Sequence, residues 1–244
     1  MSATLVATGC GWFGTGKALH RVGPQPRYSE IWSADPGIDL FDRGAELVRA
    51  AVDAATYTRF AGFDQTFPGY EEATESERSR LLSYVDWSLA DSPKRALGWP
   101  RTDFNHIAGL SFSESSVSAT VCSYVIFESA GVLARPGPEV IGINVRMSNP
   151  ADNIGKTGSP DRRPEVADSL GRYVPDWNVF GSWRIDELRH EYDRLPEGCA
   201  RWFQALYPSA VRPSPRIMSP PLGTLPPTMP VGIQYPEWIG PSDG

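Results

Sequence analysis

Ser116–Phe127 reads SVSATVCSYVIF, and its alternation decides the fold class. Val117, Ala119, Val121, Val125 and Phe127 fall on one side, and Thr120, Cys122, Tyr124 and Ile126 on the other. That two-residue period predicts a long strand buried on both faces. Residues 139–147 (EVIGINVRM) repeat it, with Ile141, Ile143, Val145 and Met147 on one face and Asn144 and Arg146 on the other. Upstream, residues 104–112 (FNHIAGLSF) set Phe104, His106, Ala108 and Leu110 on a common face, and the polar turn Glu114-Ser115-Ser116 predicts an antiparallel hairpin with the strand that follows. Downstream, residues 176–188 (DWNVFGSWRIDEL) keep Trp177, Val179, Gly181, Trp183 and Ile185 on one parity and are expected to form the last strand. Between them, residues 149–175 are rich in polar residues, Gly and Pro, and are expected to be a long exposed loop.

From about Asp35 to Ala96 the chain has helical spacing. Asp35 or Asp39 can cap a helix carrying Leu40, Phe41, Leu47, Val48, Ala51, Val52 and Ala55, with Asp42, Arg43, Glu46, Arg49 and Asp53 on the opposite, charged face. Thr74 and Glu77 form a capping box for a second helix through Leu81, Leu82, Val85 and Leu89. Between the helices, residues 57–70 (YTRFAGFDQTFPGY) concentrate aromatic rings. Tyr57, Phe60, Phe63, Phe67 and Tyr70 are candidates to line a pocket, although rings at a helix–sheet junction commonly fill the open end of a core. Residues 197–206 (EGCARWFQAL) predict a short amphipathic helix after the sheet. Helices followed by about four antiparallel strands make an α+β fold.

The chain has 244 residues, 41% of them hydrophobic, enough to bury a sizeable core. A net charge of −6 with scattered Lys and Arg excludes the electrostatic footprint of a nucleic-acid binder. Proline is used at about twice its ordinary frequency, much of it after Tyr207, so residues 207–244 are expected to be an extended, polyproline-like tail. No run of about 18 apolar residues exists to span a membrane.

Residues 5–10 (LVATGC) resemble the lipobox of bacterial lipoproteins, with Cys10 as the lipid-bearing residue and Ala7 and Gly9 as the small residues before it. Only nine residues precede Cys10, short of the basic start and apolar core of a signal segment. The Gly- and Pro-punctuated run that follows completes a spacer over residues 1–34. Residues 11–18 (GWFGTGKA) also fit the G-x-x-x-x-G-K of a phosphate loop. Ala18, however, lacks the hydroxyl that would ligate Mg²⁺, and Gly23, Pro24 and Pro26 break the helix the motif needs. If Cys10 carries lipid, Cys122 and Cys199 remain, and an exported protein would tend to join them; in a cytosolic chain both would be buried thiols.

The order of helices, the hairpin strand A-T-V-C at Ala119–Cys122, the return strand and the Trp183-Arg184-Ile185 strand resemble the NTF2-like, or cystatin-like, cone. More narrowly they resemble small envelope lipoproteins of actinobacteria. The resemblance covers about residues 38–188 and sets the domain at residues 35–206. It implies N-terminal helices packed on a curved antiparallel sheet that encloses a pocket, a location at the bacterial cell envelope, and a small apolar ligand or an envelope protein as partner, with a homodimer as a further option. A non-enzymatic binder is the favoured reading. The alternative is a pocket enzyme, such as an isomerase or dehydratase, with His106 as general base and Asp86, Asp103 or Tyr124 as partners. No H-x₃-H or C-x₂-C spacing and no G-x-S-x-G occurs, so neither a metal nor another cofactor nor a serine-nucleophile motif is expected.

Overall fold

The computed structural model describes residues 28–61, 65–75, 101–127, 139–151, 156–158, 174–221 and 235–238. Its centre is a five-stranded mixed sheet, and with its few helices the fold is α+β. The strands are β1 (Tyr28–Ala34), β2 (Arg101–Phe112), β3 (Ser116–Phe127), β4 (Ile141–Ser148) and β5 (Arg184–His190), in spatial order β1-β2-β3-β4-β5. β1 runs parallel to β2, and the other neighbours are antiparallel. The register shifts between Ile107 and Gly109 in β2 and between Arg146 and Met147 in β4.

The alternation of β3 is used on both faces. Val117, Ala119 and Val121 join Ile143, Val145, Met147 and Ile185 beneath helix α1 (Arg43–Ala61), where Leu47, Val48, Ala51, Val52 and Ala55 complete the larger core. Cys122, Tyr124 and Ile126 point to the other face, against Cys199, Ala200 and Phe203 of helix α3 (Glu197–Leu206). A short helix, α2 (Tyr70–Thr74), lies against β5. Apolar residues at period 2 thus supply two cores, one for each covering helix.

α3 sits close to the sheet because β4 carries Gly142 beneath it. A Cβ at Gly142 would lie 2.4 Å from Pro196 Cδ, and Pro196 is the residue that precedes α3. Gly142→Ala should therefore lift the start of α3 and cost about 1–3 kcal/mol, the usual penalty for overpacking. A urea midpoint equal to that of the unmodified chain would contradict this contact.

The structure departs from the sequence reading at several places. Residues 28–34, assigned to the spacer, form β1, and their parallel pairing with β2 makes the sheet mixed instead of wholly antiparallel. The last strand begins at Arg184 and not near Asp176. Asn178 Oδ1 accepts the Gly181 N–H, and Gly181 has a left-handed φ of 61°, so a turn precedes the strand while Trp177, Val179 and Trp183 remain buried. Within the expected tail, β6 (Val211–Ser214) and β7 (Ile217–Ser219) form a hairpin tied to the sheet where Val140 N–H donates to Met218 O. Thr74 ends α2 and back-bonds its hydroxyl to Tyr70 O at 2.9 Å, so it does not cap a second helix. The remainder of that expected helix lies outside the described residues.

Residues 235–238 return to the outer edge of β1. Tyr235 N–H donates to Glu30 O, and Trp32 N–H donates to Tyr235 O, at 3.0 and 2.8 Å. Three residues on, Trp238 is fully buried, edge-on to Phe67 at 5.1 Å. This segment occupies an edge that would otherwise present unpaired backbone groups.

Candidate functional site

β1 and β2 carry a polar cluster on each face. The parallel register sets Glu30 beside Asp103, Trp32 beside Asn105 and Ser33 beside His106. Side chains alternate along each strand, so Glu30, Trp32, Asp103 and Asn105 point toward α1, while Ser33 and His106 point toward α3.

On the α1 face, Asp53 accepts the indole N–H of Trp32 at 2.9 Å through one oxygen and that of Trp238 at 3.0 Å through the other. Glu30 Oε2 accepts from Asn105 Nδ2 at 3.2 Å, and the Glu30 and Asp53 carboxyl groups are neighbours. Glu30, Asp53, Arg49 and Asn105 are all buried. Burial pushes the Glu30 carboxyl well above its ordinary range, and the neighbouring charges of Asp53 and Asp103 add to it, against a smaller opposing effect of Arg101. Burial also raises Asp53, opposed by its hydrogen bonds and by Arg49. Two adjacent carboxyl groups taken out of water cannot both ionise readily, so the pair favours keeping a proton, and Glu30 is the more strongly raised of the two. The Arg49 guanidinium lies 4.8 Å from the Trp238 ring centroid and donates Nε–H to Leu40 O. A polar cleft with a cavity volume of about 10 Å³, the space of a single water, lies between Arg49, Glu46, Trp177 and Trp238.

On the α3 face, His106 is held by both ring nitrogens. Nδ1 lies 2.9 Å from Ser33 Oγ, and Nε2 lies 3.0 Å from Asp35 Oδ1. The ring stacks on Trp202 of α3, centroids 4.8 Å apart and planes within 8°. His106 is 4% exposed, Ser33 is open to solvent, and the Asp35 side chain is 42% exposed. Burial lowers the His106 pKa from its ordinary value, opposed by Asp35.

The sequence-predicted partners of His106 are placed elsewhere. Asp103 pairs with Arg101 at 2.8 Å and faces α1. Tyr124 stacks on Phe104 at 4.9 Å and bonds to Tyr207, burial raising its pKa. Asp86 lies outside the described residues, as do Cys10, Phe63 and the side chain of Phe60. Of the other pocket candidates, Tyr57, Phe67 and Tyr70 are buried within the larger core, Phe67 against Trp238 and Tyr70 against Phe180. Cys122 and Cys199 are joined in a disulfide with Cα atoms 5.1 Å apart, tying the central strand to α3.

Glu46, Arg49 and Asp53 lie on the charged face of α1, and all three are buried. Glu46 accepts from Gly158 N–H at 2.7 Å, Arg43 donates to Val179 O, and Asp53 holds Trp238. Segments distant in sequence cover that face and use its charges as fastening points. Ser33 and Asp35 were missed as partners of His106. The only signal for them was the strand that carries Ser33 and ends one residue before Asp35, whose inward Glu30 breaks the apolar alternation.

Among the described residues, no group of three His, Cys, Asp or Glu side chains converges as metal ligands would, and no helix is long and apolar enough to cross a membrane. Compared with protein-family models, curated proteins and solved structures, the chain matches none.

Proposed function

We propose that this chain is an extracytoplasmic domain of the bacterial cell envelope, tethered through lipid on Cys10, that engages a protein partner or a small apolar ligand from an NTF2-like scaffold. The buried Cys122–Cys199 disulfide carries the location, because such bridges form and persist in oxidising compartments. The succession of α1 and four antiparallel strands supports the scaffold. Between the two kinds of partner, the filling of the α1 core by Tyr57, Phe67, Tyr70 and Trp238 favours a surface-bound protein over an enclosed apolar ligand. Cys10→Ala should move the protein from the membrane fraction to the soluble fraction and remove an acyl-sized increment from its intact mass. Unchanged fractionation and mass would overturn the anchor.

A second reading makes the domain an enzyme with His106 as general base. The observation that favours it is the pair of hydrogen bonds that fixes both ring nitrogens. In this reading Asp35 takes the orienting place first given to Asp86, Asp103 or Tyr124.

A further inference from the structure

We propose that Ser33, His106 and Asp35 form a nucleophile, base and orienting carboxylate for acyl transfer from carboxylic esters. This deepens the second reading above, and it names the nucleophile and the substrate class. A carboxylate can only accept a hydrogen bond, so Asp35 fixes the ring proton on Nε2 and leaves the lone pair on Nδ1. The 2.9 Å contact at Nδ1 is then donated by the Ser33 hydroxyl, which is the hydrogen bond a base makes to the nucleophile it activates. A weaker contact from the same hydroxyl to Asn105 O, at 3.4 Å, competes with it. Trp202 clamps the ring face and keeps both nitrogens aligned. Burial favours the neutral imidazole, the form that can take a proton.

The backbone supplies the remaining part. Trp32 N–H points outward to Tyr235, and Asp35 N–H points inward to Ile107 O at 3.0 Å. By the alternation of a strand, the N–H of Ala34 points outward like that of Trp32. It therefore lies one residue past the nucleophile, where it can donate to a carbonyl oxygen that gains charge. Ser33 is solvent-exposed, so an ester can reach it without a buried cavity, and the site should prefer small or extended acyl groups.

The steps balance without any added oxidant or cofactor. Ser33 Oγ forms a bond to the ester carbonyl carbon as its proton passes to His106 Nδ1, and the carbonyl electron pair moves to oxygen. The tetrahedral adduct collapses, the bond to the alkoxy oxygen breaks, and the departing oxygen takes the proton from Nδ1. Water then adds to the acyl carbon, gives a proton to Nδ1, and Ser33 leaves with that proton. The products are an alcohol and a carboxylic acid.

The test uses the full chain, a fluorophosphonate probe and p-nitrophenyl acetate. The expected result is one phosphonyl group on the peptide containing Ser33, absent from Ser33→Ala, with ester turnover falling by about 10²-fold or more in Ser33→Ala and in His106→Gln. Ser33 is exposed, so its replacement reports on chemistry even if the buried His106 variant folds poorly. Asp35→Asn should leave Ser33 in place yet slow labelling and shift the pH profile of turnover. Labelling elsewhere, or turnover in Ser33→Ala equal to the unmodified chain, overturns the proposal. If turnover survives in Ser33→Ala but is lost in a folded His106→Gln, the nucleophile is refuted while the general-base reading stands. If neither change affects turnover, both fall.

Discussion

Replacing Cys122 and Cys199 together with alanine is expected to lower stability by about 4 kcal/mol. The bridge closes a loop between residues 77 apart, and the chain-entropy relation for a loop of that length gives this order of magnitude. The bridge also holds α3 by one covalent point in addition to the packing of Phe203 and Trp202. The measurement is a urea or guanidinium titration of oxidised, reduced and double-alanine protein, compared at equal slope. A difference below about 1 kcal/mol would show that the reduced unfolded chain is already constrained. Because both sulfurs lie in the smaller core, reductant added to the folded protein should act only as fast as the α3 face opens.

The second large effect is expected at Asp53. Asp53→Ala removes the acceptor for two buried indole N–H groups and weakens the electrostatic support of buried Arg49, so a loss of about 3–5 kcal/mol is expected. Glu30→Gln should be mild by comparison, because burial already disfavours the Glu30 carboxylate and the amide keeps its shape. The two carboxyl groups also set a pH dependence whose sign is fixed. Glu30 has a folded pKa raised above its ordinary 4.5, so between those two values the folded chain binds more protons than the unfolded one. Its contribution is fully present below about 4.5 and is lost as pH rises through the folded value; the raised Asp53 has the same sign.

His106 has the opposite sign. Its depressed folded pKa makes stability fall as pH drops below its ordinary 6.5. The groups facing Glu30 are Asp53 from α1 and Arg101, Asp103 and Asn105 from β2, so Glu30→Gln removes one carboxyl from a mixed set. A urea-midpoint profile of Glu30→Gln should be flatter above pH 5 than that of the unmodified chain. Superimposable profiles would mean that Glu30 is ionised in the fold.

The two faces of the sheet differed in how much of them could be read from the sequence. β2, β3 and β4 were readable because each places apolar residues at every second position over eight or more residues. α3 was readable because its apolar residues share one face. β1 was not, because YSEIWSA turns a carboxylate inward and sits in a run of Gly and Pro that reads as spacer. The charged positions of α1 look solvated in sequence. Their burial depends on Gly158, Val179 and Trp238, segments more than 100 residues away, and no local pattern announces such cover. His106 stood out as a candidate, but its hydroxyl comes from β1 and its carboxylate from the residue just after β1, 73 and 71 residues earlier, so recognising the cluster required the parallel register.

The position of Trp238 also sets a timetable. Asp53 waits for an indole 185 residues later in the chain, and the outer edge of β1 waits for Tyr235. During synthesis the sheet and α1 can associate first, but the acid pair remains incompletely bonded and one strand edge open until residue 238 has emerged. Such late, distant contacts slow folding and prolong exposure of an edge that can pair with other chains. An organism making this protein therefore depends on whatever shields that edge in the interval, and a nascent chain stalled short of residue 235 should be far more prone to aggregate than its length alone would suggest.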